Sequence, residues 1–419
     1  MKTFETKGIN FSKKTSFGKI AILFIALFTF SPSNILAQEK KELVKYEDVK
    51  DIENYGDFKF VEVIGHGGSH FYSGQTIEED ALSTGYGALE LRFGWKSGDP
   101  EHWSNKYYNS MSYGVGFYTG FIGDPQVFGN PNAIYGFADF PVGRQSFQRK
   151  TYWKFSPALG VTYNLAPYNP TGNPTNDAIG ASFAVYIALA GKGETMINRD
   201  MDITYGIDFT HFSNGRSFMP NYGLNMIGFN VGAKYHFNTQ QKKVNNDPFT
   251  TELLPSRYKR TRNTPAPKKV GGSINILTAV GTVQNGFDEN ENGGDPDNRY
   301  TTFSGYIDYT YKFNMKMGVD VGIDFFYDQS LIIETPEDPD DLSLLAFHVG
   351  YEYTFWRFTV ISQLGGYIGG DNGKGKIWAR PGVQYKLTDW VSAHVALKTR
   401  RGFAADWAEF GVVFHPFSW

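Results

Sequence analysis

From about residue 59 to the end of the chain, apolar and polar residues alternate one by one between clusters of turn-formers, which is the period of a half-buried β-strand. In 317–327, Met317, Val319, Val321, Ile323, Phe325 and Tyr327 share one face, with Asp320 and Asp324 on the other. In 303–313, Phe303, Ile307, Tyr309, Tyr311 and Phe313 oppose Ser304, Asp308, Thr310 and Lys312. In 347–355, Phe347, Val349, Tyr351, Tyr353 and Phe355 oppose His348, Glu352 and Thr354. Segments with a helical period are absent from the pattern, so the chain is expected to be all-β and antiparallel.

Alternation alone does not separate a soluble sandwich, which buries its apolar face, from a transmembrane barrel, which turns that face to lipid. The rest of the sequence favours the barrel. Lys13, Lys14 and Lys19 precede an apolar run from Ile20 to Phe30, and Ala37 offers a small residue before Gln38, the layout of a secretory signal peptide over residues 1–37. The run is about half the roughly 20 apolar residues that a membrane-spanning helix needs. Gly-rich strands and aromatic bands near strand ends point the same way. The final strand, about 405–419, aligns Phe410, Val412 and Phe414 and finishes on Trp419, similar to the terminal strand that outer-membrane assembly recognises, although Pro416 interrupts it. The expectation is an outer-membrane β-barrel, exported after signal-peptide removal.

Short turns at 313–316, 355–357 and 387–389 are expected on the periplasmic side, and longer polar connections at 285–298, 330–341 and 370–375 outside. The second half supplies about eight strands; the first supplies seven and a weaker one at 134–144, for a total of 14 to 16. Between the halves, 238–269 loses the alternation and reads as a periplasmic linker joining 38–237 to 270–419. One large barrel or two smaller ones both fit this layout.

Composition narrows the function classes. There is no cysteine, hence no disulfide framework or thiolate metal site. A net charge of −3 gives no electrostatic footprint for nucleic acid, and 17% aromatic residues argues against disorder. No Gly-rich phosphate loop follows a strand and opens a helix, and no cofactor is implied. Asp288, Asn290, Asn292 and Gly293 mimic the start of a calcium loop, but the twelfth position is Arg299, and an acidic surface loop is the better reading. His66, His70 and Glu62 share a strand face and read as part of a lumen-facing polar row.

One segment puts polar groups on the wrong side. Along 201–213 the odd positions are Met201, Ile203, Tyr205, Ile207, Phe209, His211 and Ser213, so by parity His211 and Ser213 project outward from the top of a lipid-facing row. On the next strand Asn225 opens the corresponding row of Ile227, Phe229 and Val231. Residues two apart on a strand have Cα atoms about 6.5–7 Å from each other on one face, which lets an imidazole serve as base to a hydroxyl nucleophile, with the group on the neighbouring strand orienting the ring. Asn214, Gly215 and Asn221 in the connecting loop are possible oxyanion donors. Interfacial anchoring at a loop rim would explain the same residues. A nucleophile that faces lipid would act on an ester in a lipid.

The residues His211-Phe212-Ser213-Asn214 and Pro220-Asn221-Tyr222-Gly223-Leu224-Asn225 resemble the PagL-type lipid A deacylases, outer-membrane acyl hydrolases that include bacterial acyloxyacyl hydrolases. Gly129-Asn130-Pro131, Tyr135-Gly136-Phe137, Asn173-Pro174 and Ala178-Ile179-Gly180 are similar to members from the Bacteroidetes. The resemblance spans roughly 84–237. It implies Ser213 as nucleophile, His211 as general base, Asn214 and Asn221 at the oxyanion hole, and lipid A of the outer leaflet as substrate. Asn225 stands fourteen residues past His211, where the best-known members carry a glutamate. An amide oxygen can orient imidazole but brings no charge to stabilise imidazolium. The chain is also longer than an eight-stranded member needs, which leaves 270–419 without a role and the oligomeric state open. The opposing readings are a non-enzymatic barrel, either channel or surface protein, supported by the polar row Asp308, Asp320, Asp324, His348, Glu352 and His394, and a degenerate hydrolase that binds lipid without cleaving it.

Overall fold

The structure is a computed structural model and describes residues 57–419 except 72–73, 75–76, 78–80, 83–84, 98–101, 144–149, 199, 238–270, 285–298, 335–341 and 370–372. The signal peptide, the linker and the calcium-like loop expected from the sequence lie outside the described residues. Sixteen antiparallel strands are described, and they close as two barrels of eight, the second of the two arrangements that the alternation allowed. The first comprises β1 (Asp57–His70), β2 (Tyr86–Ser97), β3 (Ser112–Phe121), β4 (Gly129–Val142), β5 (Thr151–Leu165), β6 (Phe183–Met196), β7 (Met201–Ser213) and β8 (Leu224–Phe237). The second comprises β9 (Gly271–Gln284), β10 (Arg299–Lys312), β11 (Met317–Asp328), β12 (Ser343–Phe355), β13 (Phe358–Ile368), β14 (Ile377–Lys386), β15 (Val391–Arg400) and β16 (Ala404–Ser418). Each strand pairs with its neighbours in sequence, and β1–β8 and β9–β16 close the two rings. The weaker candidate at 134–144 is the body of β4. At Pro416, which has no N–H to donate, the β16–β9 register shifts between Phe414 and Phe417.

Side chains are sorted opposite to a soluble protein. Phe229 is 73% exposed and Val161 63%, whereas Glu62, Asp139 and Lys192 are fully buried inside the ring. Outward rows of this kind suit a surrounding of hydrocarbon, and a polar interior is the barrel's own solution to its charges. At the short-turn end the outer wall carries a girdle of aromatics, including Trp95 with Tyr113, Trp153 with Tyr205, Tyr235 with Phe237 and Phe358 with Tyr385.

The interiors are filled with paired charge. In the first barrel, Arg92 bonds Glu90 at 3.0 Å, Lys154 bonds Asp139 at 2.9 Å, Lys234 bonds Glu194 at 2.6 Å and Lys192 reaches Glu62 at 3.5 Å. His66 bridges Glu90 and Asp208 at 3.1 and 3.2 Å. Toward the long-loop end a plug of Tyr86, Tyr118, Tyr135, Tyr186, Phe128 and Phe212 takes over. In the second barrel, Arg380 joins Asp324 and Glu409, both at 2.8 Å, and Lys374 joins Asp328 at 2.6 Å. Asp320, Asp324 and Asp328 face inward, where His348, Arg380 and Lys374 compensate them.

The barrels touch at both ends. At the turn end a short helix, Trp103–Tyr108, stacks Trp103 on Trp356 with ring centroids 5.8 Å apart, and the Tyr108 hydroxyl donates to Thr354 O at 2.5 Å. At the loop end the β7–β8 connection meets β9, β10 and β16.

Candidate functional site

The end of β7 is fixed from inside. Phe212 is fully buried, with Tyr118 and Tyr186 at centroid distances of 6.0 and 5.7 Å. Because successive side chains point to opposite faces, anchoring Phe212 in the interior directs His211 and Ser213 to the outer wall. Cross-strand register then sets their neighbours: His211 lies between Ile187 of β6 and Asn225 of β8, and Ser213 lies opposite Val185. The wall around them is apolar, with Ile207, Ile227 and Phe183 exposed.

His211 Nδ1 and Asn225 Oδ1 are 2.7 Å apart. An amide oxygen only accepts, so Nδ1 carries the proton and Nε2 keeps a lone pair, the form a general base requires. The rings of Phe209 and His211 lie nearly parallel at 6.4 Å, along the same outward row. Gly223 forms the other boundary: it has φ +77°, and a Cβ there would sit 2.9 Å from His211 Cε1. Only a residue without a side chain lets the backbone lie this close to the imidazole.

Ser213 is held by the loop that follows it. Asn221 Nδ2 donates to Ser213 Oγ at 3.0 Å, and the Gly215 amide donates to the same oxygen at 3.3 Å. Asn221 Oδ1 accepts from the Asn214 amide at 3.1 Å. Among the described residues no hydrogen bond joins Ser213 to His211, so the hydroxyl must turn from Asn221 to reach the ring; such bonds commonly tighten only with substrate in place. Asn214 is buried, and its Nδ2 makes no hydrogen bond among the described residues. Asn214 follows Ser213 in sequence, and a buried unsatisfied amide donor of this kind is available to a developing negative charge.

All six residues singled out from the sequence, His211, Ser213, Asn214, Gly215, Asn221 and Asn225, are thus gathered at one rim of the first barrel. Other contributors have no chemistry of their own. The β5–β6 connection braces the loop: Asp177 O and Ala178 O accept from the Tyr222 and Gly223 amides at 3.2 and 2.9 Å. Asn176 Oδ1 in turn accepts from the Ala178 amide at 3.1 Å, and Asn173 Nδ2 donates to Val127 O at 2.9 Å. A Cβ on Gly180 would lie 2.5 Å from Met219 O. Asn173, Ala178 and Gly180 belong to the upstream motifs, Asn176 and Asp177 lie between them, and their role as supports was not visible from spacing. Gly223 was in plain view within the motif, but only the fold puts the imidazole against it.

Two interior groups combine metal-ligating side chains, Glu194 with Asp202 and His236, and Asp308 with Asp320 and His348, with donor atoms within 4.8 Å in each. The first is already neutralised by Lys154 and Lys234 on Glu194. Both lie inside the barrels, on the opposite side of the wall from Ser213.

Two family models match the chain: lipid A 3-O-deacylase (PagL) over residues 87–234, and acyloxyacyl hydrolase, C-terminal domain, over 272–419. No curated protein matches the sequence. Among solved structures, Neisserial surface protein A is 10% identical with a TM-score of 0.28, covering 44% of this chain and all of that one. Mutant porins of Rhodopseudomonas blastica reach 11% identity and a TM-score of 0.18, covering 86% of this chain and 99% of theirs. The two family matches fall on the two barrels in turn, and the chain belongs to the PagL family of lipid A deacylases, with the acyloxyacyl hydrolase C-terminal domain as its second barrel.

Proposed function

We propose that the protein is an outer-membrane serine esterase that releases an ester-linked acyl chain from lipid A in the outer leaflet, with Ser213 as nucleophile and His211 as base. The observation that carries this reading is the His211–Asn225 pair, 2.7 Å apart, set with Ser213 in a wall whose other outward residues are apolar. A polar triplet of this composition has no solvation role facing hydrocarbon, whereas an ester at the headgroup boundary lies at its depth.

In the first step His211 Nε2 takes the Ser213 proton as Oγ attacks the ester carbonyl. The oxyanion is met by Asn221 Nδ2 and the Gly215 amide, donors already on Ser213 Oγ, with the unpartnered Asn214 Nδ2 of the next residue as a third. As the intermediate collapses, the carbonyl carbon's bond to the alkoxide oxygen breaks and the imidazolium protonates that oxygen, so the alcohol departs and an acyl-enzyme remains. Water, deprotonated by His211, attacks that ester in turn, frees the fatty acid and restores Ser213. Asn225 keeps the imidazole in the right tautomer throughout but adds no countercharge. The family to which the chain belongs supports the substrate class.

The test is mass spectrometry of lipid A incubated with the purified protein in vesicles. Loss of one acyl chain is expected, and Ser213→Ala should abolish it; no loss, or equal loss with the variant, overturns the reading. The second reading is a lipid-binding homologue without turnover, favoured by the uncharged Asn225 and by the capture of the Ser213 hydroxyl by Asn221. Saturable lipid A binding with an unchanged mass spectrum would establish it.

A further inference from the structure

The loop that carries the oxyanion donors is supported on one side by the first barrel and on the other by the second. Gln284, the last residue of β9, accepts from the Met219 amide through Oε1 at 2.8 Å, and its own amide donates to Arg216 O at 3.2 Å. Arg299, the first residue of β10, donates to Ser217 O and lays its guanidinium 3.8 Å from the centre of the Phe218 ring. Arg216 crosses to Asp406 of β16, Nη1 to Oδ1 3.3 Å, with both side chains buried. Gly215 packs so closely on the second barrel that a Cβ would be 3.2 Å from Ala408 Cβ and 3.3 Å from Leu397 Cδ1.

The backbone of this segment needs that support. Gly215 and Arg216 both have left-handed φ, +62° and +65°, and in Arg216 this is a conformation that a residue with a side chain adopts only when its surroundings impose it. The contacts described above that impose it come from the second barrel. Oxyanion stabilisation depends on donors fixed before charge develops. The Gly215 amide, one of the donors on Ser213 Oγ, is the residue next to the strained one.

We propose that the second barrel completes the catalytic site: Gln284, Arg299 and Asp406 are positioning residues that hold Asn214–Met219, and the oxyanion donors in it, in the reacting geometry. This rests on the esterase reading above. It gives 270–419 a role in the reaction that an eight-stranded enzyme must fill from its own loops.

The experiment uses the full-length protein in vesicles, with Gln284→Ala, Arg299→Ala and their combination. Gln284 is half-buried and Arg299 exposed, so neither belongs to a core. The double variant should keep its folded, heat-modifiable gel mobility, lose kcat by about tenfold or more with KM changed less than about twofold, as expected for losing a few oriented hydrogen bonds, and exchange the Met219 amide proton faster. Gln284→Glu keeps the acceptor for that amide and should restore both. Trp356→Ala, which removes the contact at the opposite end, should change neither. Wild-type exchange and kcat in the double variant would overturn the inference, as would an equal kcat loss in Trp356→Ala, which would mean that loosened docking of the barrels is the cause. Retention of full turnover by Ser213→Ala would instead overturn the esterase reading, while the exchange of Met219 still reports whether the second barrel holds the loop.

Discussion

At the scale of single residues, the proposed esterase chemistry depends on how firmly the imidazole is held. Gly223→Ala puts a methyl 2.9 Å from His211 Cε1 at a position with φ +77°. We expect roughly a hundredfold loss of kcat, since displacement by about 1 Å costs that much, and a stability cost on the order of 1 kcal/mol from the strained φ; acyl release and denaturant unfolding of the same variant measure the two. Asn225→Ala removes the acceptor that holds Nδ1 among the described residues, frees the tautomer and should lower kcat by roughly 10²-fold or more. Asn225→Glu supplies a countercharge to the imidazolium and should raise kcat. If single-turnover acyl release is no faster with glutamate, the amide is not the weak member of the site. The parity of β7 was enough to put His211 and Ser213 outside, because a two-residue period leaves no choice once Phe212 is inside. Parity says nothing about Asn214 or Asn221, which sit in the connection; their assignment came from motif resemblance. Gln284 had no signal at all, being a strand end 65 residues from Met219, whose backbone amide is its partner.

At the scale of elements, the strands obey two different rules on their two faces. Ile207, 58% exposed on β7, faces the surrounding hydrocarbon. Its replacement by arginine should destabilise the first barrel by about 2–4 kcal/mol if it lies near the midplane and by less near a boundary. Arg380 in β14 is fully buried between Asp324 and Glu409. Arg380→Ala leaves Asp324 and Glu409 with histidine partners only, His348 and His394, and should cost about 3–5 kcal/mol, read by reversible unfolding followed through Trp378 and Trp407, whose indoles lie in the same interior. Strand existence was legible where an outward row repeats without a break, as in Met317 to Tyr327. The partners of the inward carboxylates were not legible. Arg380 and Asp324 are on strands that are not neighbours, and Lys374 reaches Asp328 and Asp406 from a connection between β13 and β14. Local pattern carries no record of contacts made across a ring.

At the scale of the whole molecule, the loss of alternation after residue 237 marked a division but did not choose between one ring and two. That choice lies in the pairs β1–β8 and β9–β16, which join the first and last strands of each half. With charge in both interiors compensated and aromatic plugs above and among it, the protein should insert into planar bilayers without stepwise conductance; open-channel steps in the purified protein would contradict the packing of Arg92, Lys154 and Arg380. The outward placement of Ser213 has a kinetic consequence. For the esterase proposed above, substrate arrives by sideways diffusion within one leaflet and never passes through bulk solution, so the controlling variable is mole fraction per unit of membrane area. Diluting lipid A with inert phospholipid at constant total amount should therefore slow turnover, while diluting the whole suspension with buffer should leave the rate per vesicle unchanged.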